Sequence, residues 1–394
     1  MRGMKHPLAV LVAVAAASGA VLVAQSKYST APPAGWQVPR TPDGKPDLQG
    51  VWGNNSVTPM TRPPQWKDKE IPAPEGYFAA LIWQECVAYP EAIAQARRFL
   101  EVAPPDNVNF ANCTTLLITC LALSGDYDGA EEEIKKAVET AFKDRESDRR
   151  VTEETLALAQ MRGGRLEDAA RHFEYMATAS YGDVEAAIHG VDCWLRVGKV
   201  DEAVRLAQRA ADTIKEGRHG ERAKTLLQQV SLVGKPAPSF AAAKWWKGSG
   251  GPVTDEMLKG HVTVVFVWNM KSQLMSWMFE RLNKVVEETA DKGVQFVGIS
   301  RLARFDPLKM ATMKQGTDED ELQFYDMWAT QYKVTYPLAV GGYEDDALIN
   351  AWAAHNVPYF VVVGKDGKVF YMRSGKEEEH MMALRDMILK AANQ

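Results

Sequence analysis

The stretch Lys259-Gly-His-Val-Thr-Val-Val-Phe-Val-Trp268 contains a run of β-branched and aromatic residues that begins just after Gly260. A short run that is apolar at nearly every position, and that follows a glycine, is typical of a strand buried on both faces. The stretch therefore predicts a central strand of a sheet.

The segments after this strand alternate between helical and extended patterns. They predict helices at residues 272–291, 318–334, 345–354 and 376–392, and strands at residues 294–300, 359–363 and 368–373. The Gly364-Lys-Asp-Gly367 turn joins the last two strands as a hairpin. This order predicts an α/β domain over residues 232–394.

Several short motifs in this region resemble the exported bacterial thioredoxin-like (redoxin) family. They are Gly234-Lys-Pro-Ala-Pro-Ser-Phe240, the strand ending in Trp268, the dipeptide Val357-Pro358 before a strand, and Lys365-Asp-Gly-Lys368. The resemblance implies a thioredoxin fold with a cis peptide bond between Val357 and Pro358. In that family the residue before this proline offers its backbone to an extended peptide. Here the dipeptide either keeps such a peptide-binding groove or only supports the edge of the sheet.

In active members of the family, the strand that ends in Trp leads into a Cys-x-x-Cys pair at the start of the next helix. Aligned from Trp268, these positions hold Ser272, Gln273, Leu274 and Met275. A helix N-terminus lowers the pKa of a cysteine thiol, but it does not ionise a serine hydroxyl, and a thioether forms no disulfide. No cysteine follows Cys193. The resemblance therefore implies a degenerate redox site with no catalytic residue.

Residues 76–230 show helical periodicity and an internal repeat. Each copy begins with a glycine, has a large apolar residue two positions on and an alanine three further, as in Gly125–Ala130, Gly164–Ala169 and Gly198–Ala203. The last two glycines are 34 residues apart, the length of a helix pair that buries its apolar face by stacking on its neighbours. The copies resemble tetratricopeptide repeats. The resemblance implies an all-α array that binds proteins or peptides.

The four cysteines of the chain, Cys86, Cys113, Cys120 and Cys193, all lie in this helical region. Cys113 and Cys120 are two turns apart on one helix, about 10.5 Å, which is too far for a disulfide between them. Buried, inert thiols are the favoured interpretation. A structural bridge from Cys86 to Cys113 or Cys120, and a relocated redox pair, remain as alternatives.

The N-terminus has the pattern of an export signal. Arg2 and Lys5 precede an uncharged apolar run that ends at Ala24. Residues 1–24 are therefore predicted to be a signal peptide or, if they are not cleaved, a membrane anchor. The remainder of the protein would then be periplasmic or secreted. Residues 25–75 are rich in proline and glycine and predict an extended arm.

Composition and motif spacing exclude other classes of function. The 394 residues include 46 Lys and Arg against 51 Asp and Glu, which gives no basic footprint for nucleic acid. No histidine has metal-ligand spacing and no cofactor motif is present, so we expect neither a metal nor a cofactor. Met270, Met275 and Met278 leave Cu(I) handling as a weak alternative. The acidic run Asp318–Glu321 is interpreted as a solvated helix face.

The sequence thus predicts a multidomain protein, with a helical repeat array at residues 76–230 and a thioredoxin-like domain at residues 232–394. The favoured function is non-catalytic binding or scaffolding of a protein or peptide partner. The alternative is a thiol-disulfide oxidoreductase of the redoxin family that uses relocated cysteines.

Overall fold

The computed structural model describes residues 77, 80–81, 84–85, 87–179, 182–245, 251–269, 275–303, 305–306, 311–312, 317–341, 347–355, 357–375 and 378–394. The predicted leader (1–24) and arm (25–75) lie outside these residues. Among the described residues, no helix is both long and apolar enough to cross a bilayer.

The N-terminal region is built from helices that pack on one another in chain order. Their bounds are α1 Tyr89–Val102, α2 Phe110–Ser124, α3 Tyr127–Glu139, α4 Glu146–Arg162, α5 Leu166–Thr178, α6 Val184–Arg196, α7 Val200–Thr213 and α8 Gly217–Val230. The alanine of each repeat copy, Ala130, Ala169 and Ala203, is fully buried. The spacing of small residues therefore identified the packed face of these helices.

The C-terminal region contains a mixed six-stranded sheet. The strands are β1 Lys244–Trp245, β2 Thr263–Val267, β3 Gln295–Arg301, β6 Leu338–Gly341, β7 Tyr359–Val363 and β8 Val369–Ser374, in the spatial order β1-β6-β3-β2-β7-β8. Strands β2, β3 and β6 run parallel, whereas β7 is antiparallel to β2 and β8 is antiparallel to β7. A separate pair, β4 Phe305–Asp306 and β5 Ala311–Thr312, is antiparallel.

Four helices accompany this sheet: α9 Met275–Thr289, α10 Asp318–Gln331, α11 Ala347–Ala351 and α12 Glu378–Ala392. Strand β2 is buried along its whole length, as its unbroken apolar run predicts. The β2-α9-β3 unit followed by the β7-β8 hairpin and α12 is the thioredoxin-like arrangement. The predicted class, an all-α array followed by an α/β thioredoxin-like domain, is confirmed.

The sequence did not predict strand β6. Its four residues, all buried, form a run too short to give a recognisable period, and their pairing with β3 is what makes them a strand. Strand β7 was predicted at its observed bounds, because Tyr359–Val363 is apolar throughout and lies between a proline and a glycine turn.

One buried apolar cluster extends from Ala157 in α4 to Ala391 in α12 and includes both the later helices and the sheet. A second cluster lies among α1–α4. Polar contacts join the two regions as well: the Gln229 side chain donates a buried hydrogen bond to the carbonyl of Ala353 at 3.0 Å. The predicted division of the chain near residue 231 stays a prediction, and this cluster crosses it.

Candidate functional site

The candidate site lies where strand β2 ends. The backbone N–H of Trp268 donates to the carbonyl of Ile299 at 2.9 Å, which extends the pairing of β2 with β3 by one residue. The Trp268 side chain is 2% exposed, and its ring lies 5.1 Å from those of Phe279 and Tyr325. Trp268 therefore fixes the strand end against α9 and α10.

The four positions aligned above with the Cys-x-x-Cys pair come a few residues after Trp268. Ser272, Gln273 and Leu274 lie outside the described residues, and Met275 is the first residue of α9. The described part of α9 thus begins at the last of the four positions. The sequence has no thiol at any of these four positions.

Val357 and Pro358 lie beside the end of β2. The peptide bond between them is cis, as the resemblance implies. Because Val267 pairs with Tyr359 in an antiparallel register, the next pair along the strands would be Trp268 and Pro358. Pro358 is buried, whereas Val357 is 37% exposed. The fold therefore brings these two predicted peptide-binding residues and Trp268 to the same edge of the sheet.

A buried polar cluster behind Trp268 was not predicted. Glu321 is fully buried, and its carboxylate accepts the backbone N–H of Ala303 at 2.7 Å. The Tyr325 hydroxyl donates to the carbonyl of Arg301 at 3.0 Å and lies 3.0 Å from the Ser300 hydroxyl. Burial raises the pKa of Tyr325 well above its ordinary value, so this hydroxyl keeps its proton.

The position of Glu321 contradicts the interpretation of Asp318–Glu321 as a solvated helix face. The other residues of the acidic run are exposed or half-buried, as expected for a solvated face, but Glu321 faces the core. A signal was present: Glu321, Tyr325 and Ala329 follow one another at intervals of four residues, and all three are buried.

The described thiols lie in the helices, away from solvent. Cys113 and Cys120 on α2 and Cys193 on α6 are free and buried. Burial, with a smaller contribution from Cys120, raises the pKa of Cys113 to about 12, and burial raises the pKa of Cys120 to about 11. Burial also raises the pKa of Cys193, and Asp192 adds to the effect. Neither Cys113 nor Cys120 forms the bridge that the sequence left open, and Cys86 lies outside the described residues.

Cys113 and Cys120 also lie in a different buried cluster from Trp268. The structure therefore does not bring either thiol to the strand end at Trp268. Within the described ranges, no group of three or more His, Cys, Asp or Glu side chains could hold a metal ion.

Comparison with known proteins agrees with this geometry. Residues 233–372 match the AhpC/TSA family. The match covers the strands and helices around Trp268 and the cis proline, and it ends within β8. This part of the chain is a thioredoxin-like domain of the redoxin type. The match does not include the helical region, and no curated protein matches the sequence.

Several solved structures resemble part of this chain. A thiol:disulfide interchange protein of the thioredoxin family from Chlorobium tepidum is 18% identical, with a TM-score of 0.29, over 40% of this chain and 97% of that one. The thioredoxin domain of a thiol-disulfide oxidoreductase from Bacteroides vulgatus is 16% identical, with a TM-score of 0.30, over 40% and 97%. A secreted disulfide oxidoreductase from Mycobacterium tuberculosis is 18% identical, with a TM-score of 0.25, over 38% and 92%.

Proposed function

We propose that this protein is exported and binds a protein or peptide partner, and that its thioredoxin-like domain no longer carries out thiol-disulfide exchange. The observation that supports this most directly is the absence of cysteine from residues 194–394. Exchange requires a thiolate that attacks a disulfide sulfur. Neither Ser272 nor Met275 supplies one.

The described cysteines of the helical region do not replace the missing pair. A thiol with a pKa of about 12, such as Cys113, is ionised in roughly one molecule in 10⁵ at pH 7. Cys113, Cys120 and Cys193 are also 0% exposed, so a protein disulfide has no access to them in the folded state. A reactive cysteine, in contrast, lies in an accessible electropositive environment.

Binding is the role that remains for two folds of this kind. The helical region resembles a class that binds proteins or peptides, and by its resemblance to thioredoxins the exposed Val357 would offer its backbone to an extended chain. The apolar leader at residues 1–24 supports export.

An insulin-reduction assay on the full chain tests the loss of exchange chemistry. We expect the wild-type protein to reduce insulin no faster than dithiothreitol alone. The double variant Ser272→Cys/Met275→Cys should gain activity, because a thiol at a helix N-terminus has a lowered pKa. The matched control Ser272→Ala/Met275→Ala should stay inactive.

Wild-type activity that disappears when Cys86, Cys113, Cys120 or Cys193 is replaced by alanine would overturn the proposal. That result would instead establish the alternative, an oxidoreductase with relocated cysteines.

A further inference from the structure

Two histidines lie together where the helical array contacts the sheet. His189 of α6 and His380 of α12 have ring centroids 5.8 Å apart. The His189 ring also stacks on Phe173 of α5, with centroids 5.2 Å apart. A side chain at Gly375, which follows β8, would overlap the His380 ring. The two imidazoles are therefore packed between the two parts of the chain.

The charged groups beside this pair are themselves paired. Arg373 of β8 is 3% exposed, and its Nη1 donates to Oδ2 of Asp192 on α6 at 3.4 Å. Nη1 of Arg196 lies 3.8 Å from the same oxygen. The Tyr371 hydroxyl donates to the other oxygen of Asp192. Two guanidinium groups thus share one carboxylate. Asp192 raises the pKa of His189 more than Arg373 lowers it, whereas Arg373 lowers the pKa of His380 more than Asp192 raises it, and for both rings burial is the largest effect.

The remaining charges around the histidines are paired or peripheral. Arg162 of α4 forms an ion pair with Glu379 of α12 at 2.7 Å. Asp386 of α12 lines the same cavity of about 250 Å³ as His380 and Arg373. Glu185 and Glu154 raise the pKa of His189 less than Asp192 does, and both are exposed. None of these carboxylates offsets the burial of the two imidazoles.

The closed contact therefore holds both rings neutral. Burial lowers the pKa of His380 to about 3, and Arg373 and His189 act in the same direction. Burial likewise lowers the pKa of His189. If the contact opened, water would reach both rings and their pKa would return towards the ordinary value of about 6.5. A proton thus binds the open form more tightly than the closed form, and acid shifts the equilibrium towards opening.

We propose that protonation of His189 and His380 opens the contact between α6 and the β8–α12 segment, so that the helical array and the sheet separate locally at acidic pH. This is a conformational switch within the chain itself, and it goes beyond the partner binding proposed above. Opening would uncover the face of α6 that carries His189 and Asp192.

Cys193 provides a local probe of the opening in the full chain. It follows Asp192 on α6, is 0% exposed and belongs to the buried cluster that crosses the contact, whereas Cys113 and Cys120 belong to the other cluster. The experiment is labelling with 4,4′-dithiodipyridine between pH 7.5 and 5.0, with each site quantified by mass spectrometry. Relative to Cys113 and Cys120, labelling of Cys193 should rise about tenfold per pH unit below 6.5 for each histidine involved.

Variants test whether the two histidines cause the pH dependence of Cys193 labelling. His380→Gln and His189→Gln should each reduce the pH dependence by about tenfold per pH unit, and His219→Gln, at an exposed position of α8, should leave it unchanged. Labelling of Cys193 that does not depend on pH would overturn the proposal, as would a parallel rise at all three cysteines, because that rise reports global unfolding. An unchanged slope in both histidine variants would overturn it too.

A measurement on the wild-type chain covers the case in which the histidine variants do not fold. An NMR titration of the imidazole signals should give pKa values for His189 and His380 below about 6.5. Ordinary pKa values for both rings would overturn the proposal.

Discussion

Asp192 is a carboxylate that has been removed from water by residues far away in the sequence. It is 3% exposed, and its oxygens are held by Tyr371 and Arg373, which lie about 180 positions further along the chain. A buried charge of this kind is tolerated only when it is paired and hydrogen-bonded. At the scale of single residues, Asp192 therefore links α6 to strand β8 through a buried polar contact.

We predict that Asp192→Ala lowers the free energy of unfolding by about 3–5 kcal/mol, because it leaves the Arg373 guanidinium buried without its acceptor. Urea unfolding followed by circular dichroism measures the change. Asp201→Ala, on the exposed side of α7, is the matched control and should change stability by about 0.5 kcal/mol or less. A loss below about 1 kcal/mol in Asp192→Ala would contradict the role given to this pair.

At the scale of elements, three glycines join successive helices in the same way. Gly125, Gly164 and Gly198 have φ of +89°, +81° and +81°. Each lies one or two residues after the last residue of a helix. This left-handed conformation is unfavourable for residues with a Cβ and closes the turn between paired helices. No atom lies within 4 Å of a Cβ built at these positions, so the requirement for glycine comes from the backbone and not from packing.

We predict that Gly164→Ala destabilises the protein by about 1–2 kcal/mol through backbone strain. Gly164→Asn should have a smaller effect, since asparagine tolerates the left-handed region. Urea unfolding of both variants measures the difference. Equal losses for alanine and asparagine would show that a contact, and not φ, makes glycine necessary here.

At the scale of the whole molecule, the later helices and the thioredoxin-like sheet share one buried cluster. A continuous apolar core gives cooperative unfolding, because neither side keeps its buried surface without the other. Among the described residues, helices α2 and α3 pack against α4, whose residues belong both to this core and to the second cluster. Terminal segments open at a lower free energy than a shared core does.

We therefore predict that the amides of α6 and of strands β2 and β7 share one global opening free energy at pH 7.5, and that the amides of α1 exchange at a lower one. Native-state hydrogen exchange in increasing urea measures this. If the sheet amides stayed protected after those of α6 had exchanged, the helices and the sheet would be separate folding units.

Much of the fold could be predicted from the sequence, because the relevant signals are local. The unbroken apolar run of β2 and the apolar segment Tyr359–Val363 each indicate a strand by themselves. Strand β6 could not be found in this way, because four residues carry no periodicity and only pairing with β3 defines them. The cis bond before Pro358 came from a resemblance to a family and not from any local pattern.

The residues of the candidate site also fall into those that could be predicted from the sequence and those that could not. Trp268, Val357 and Pro358 were named from motifs, and the structure brings them to one edge of the sheet. Glu321 was placed on a solvated face, although the core encloses it. The buried face of α10 was marked by the four-residue spacing of Glu321, Tyr325 and Ala329, but the acidic neighbours of Glu321 favoured an exposed position. The packing of α10 against β3 and the residues that follow it encloses the carboxylate.

The sequence by itself determined that no cysteine thiol exists in residues 194–394. The reason is that folding does not change which amino acids a chain contains. Only the tertiary structure decided that Cys113, Cys120 and Cys193 are enclosed, and that Asp192 meets Arg373. Burial and charge pairing arise from segments distant along the chain, and their effect on a thiol or an imidazole comes from the water that packing removes.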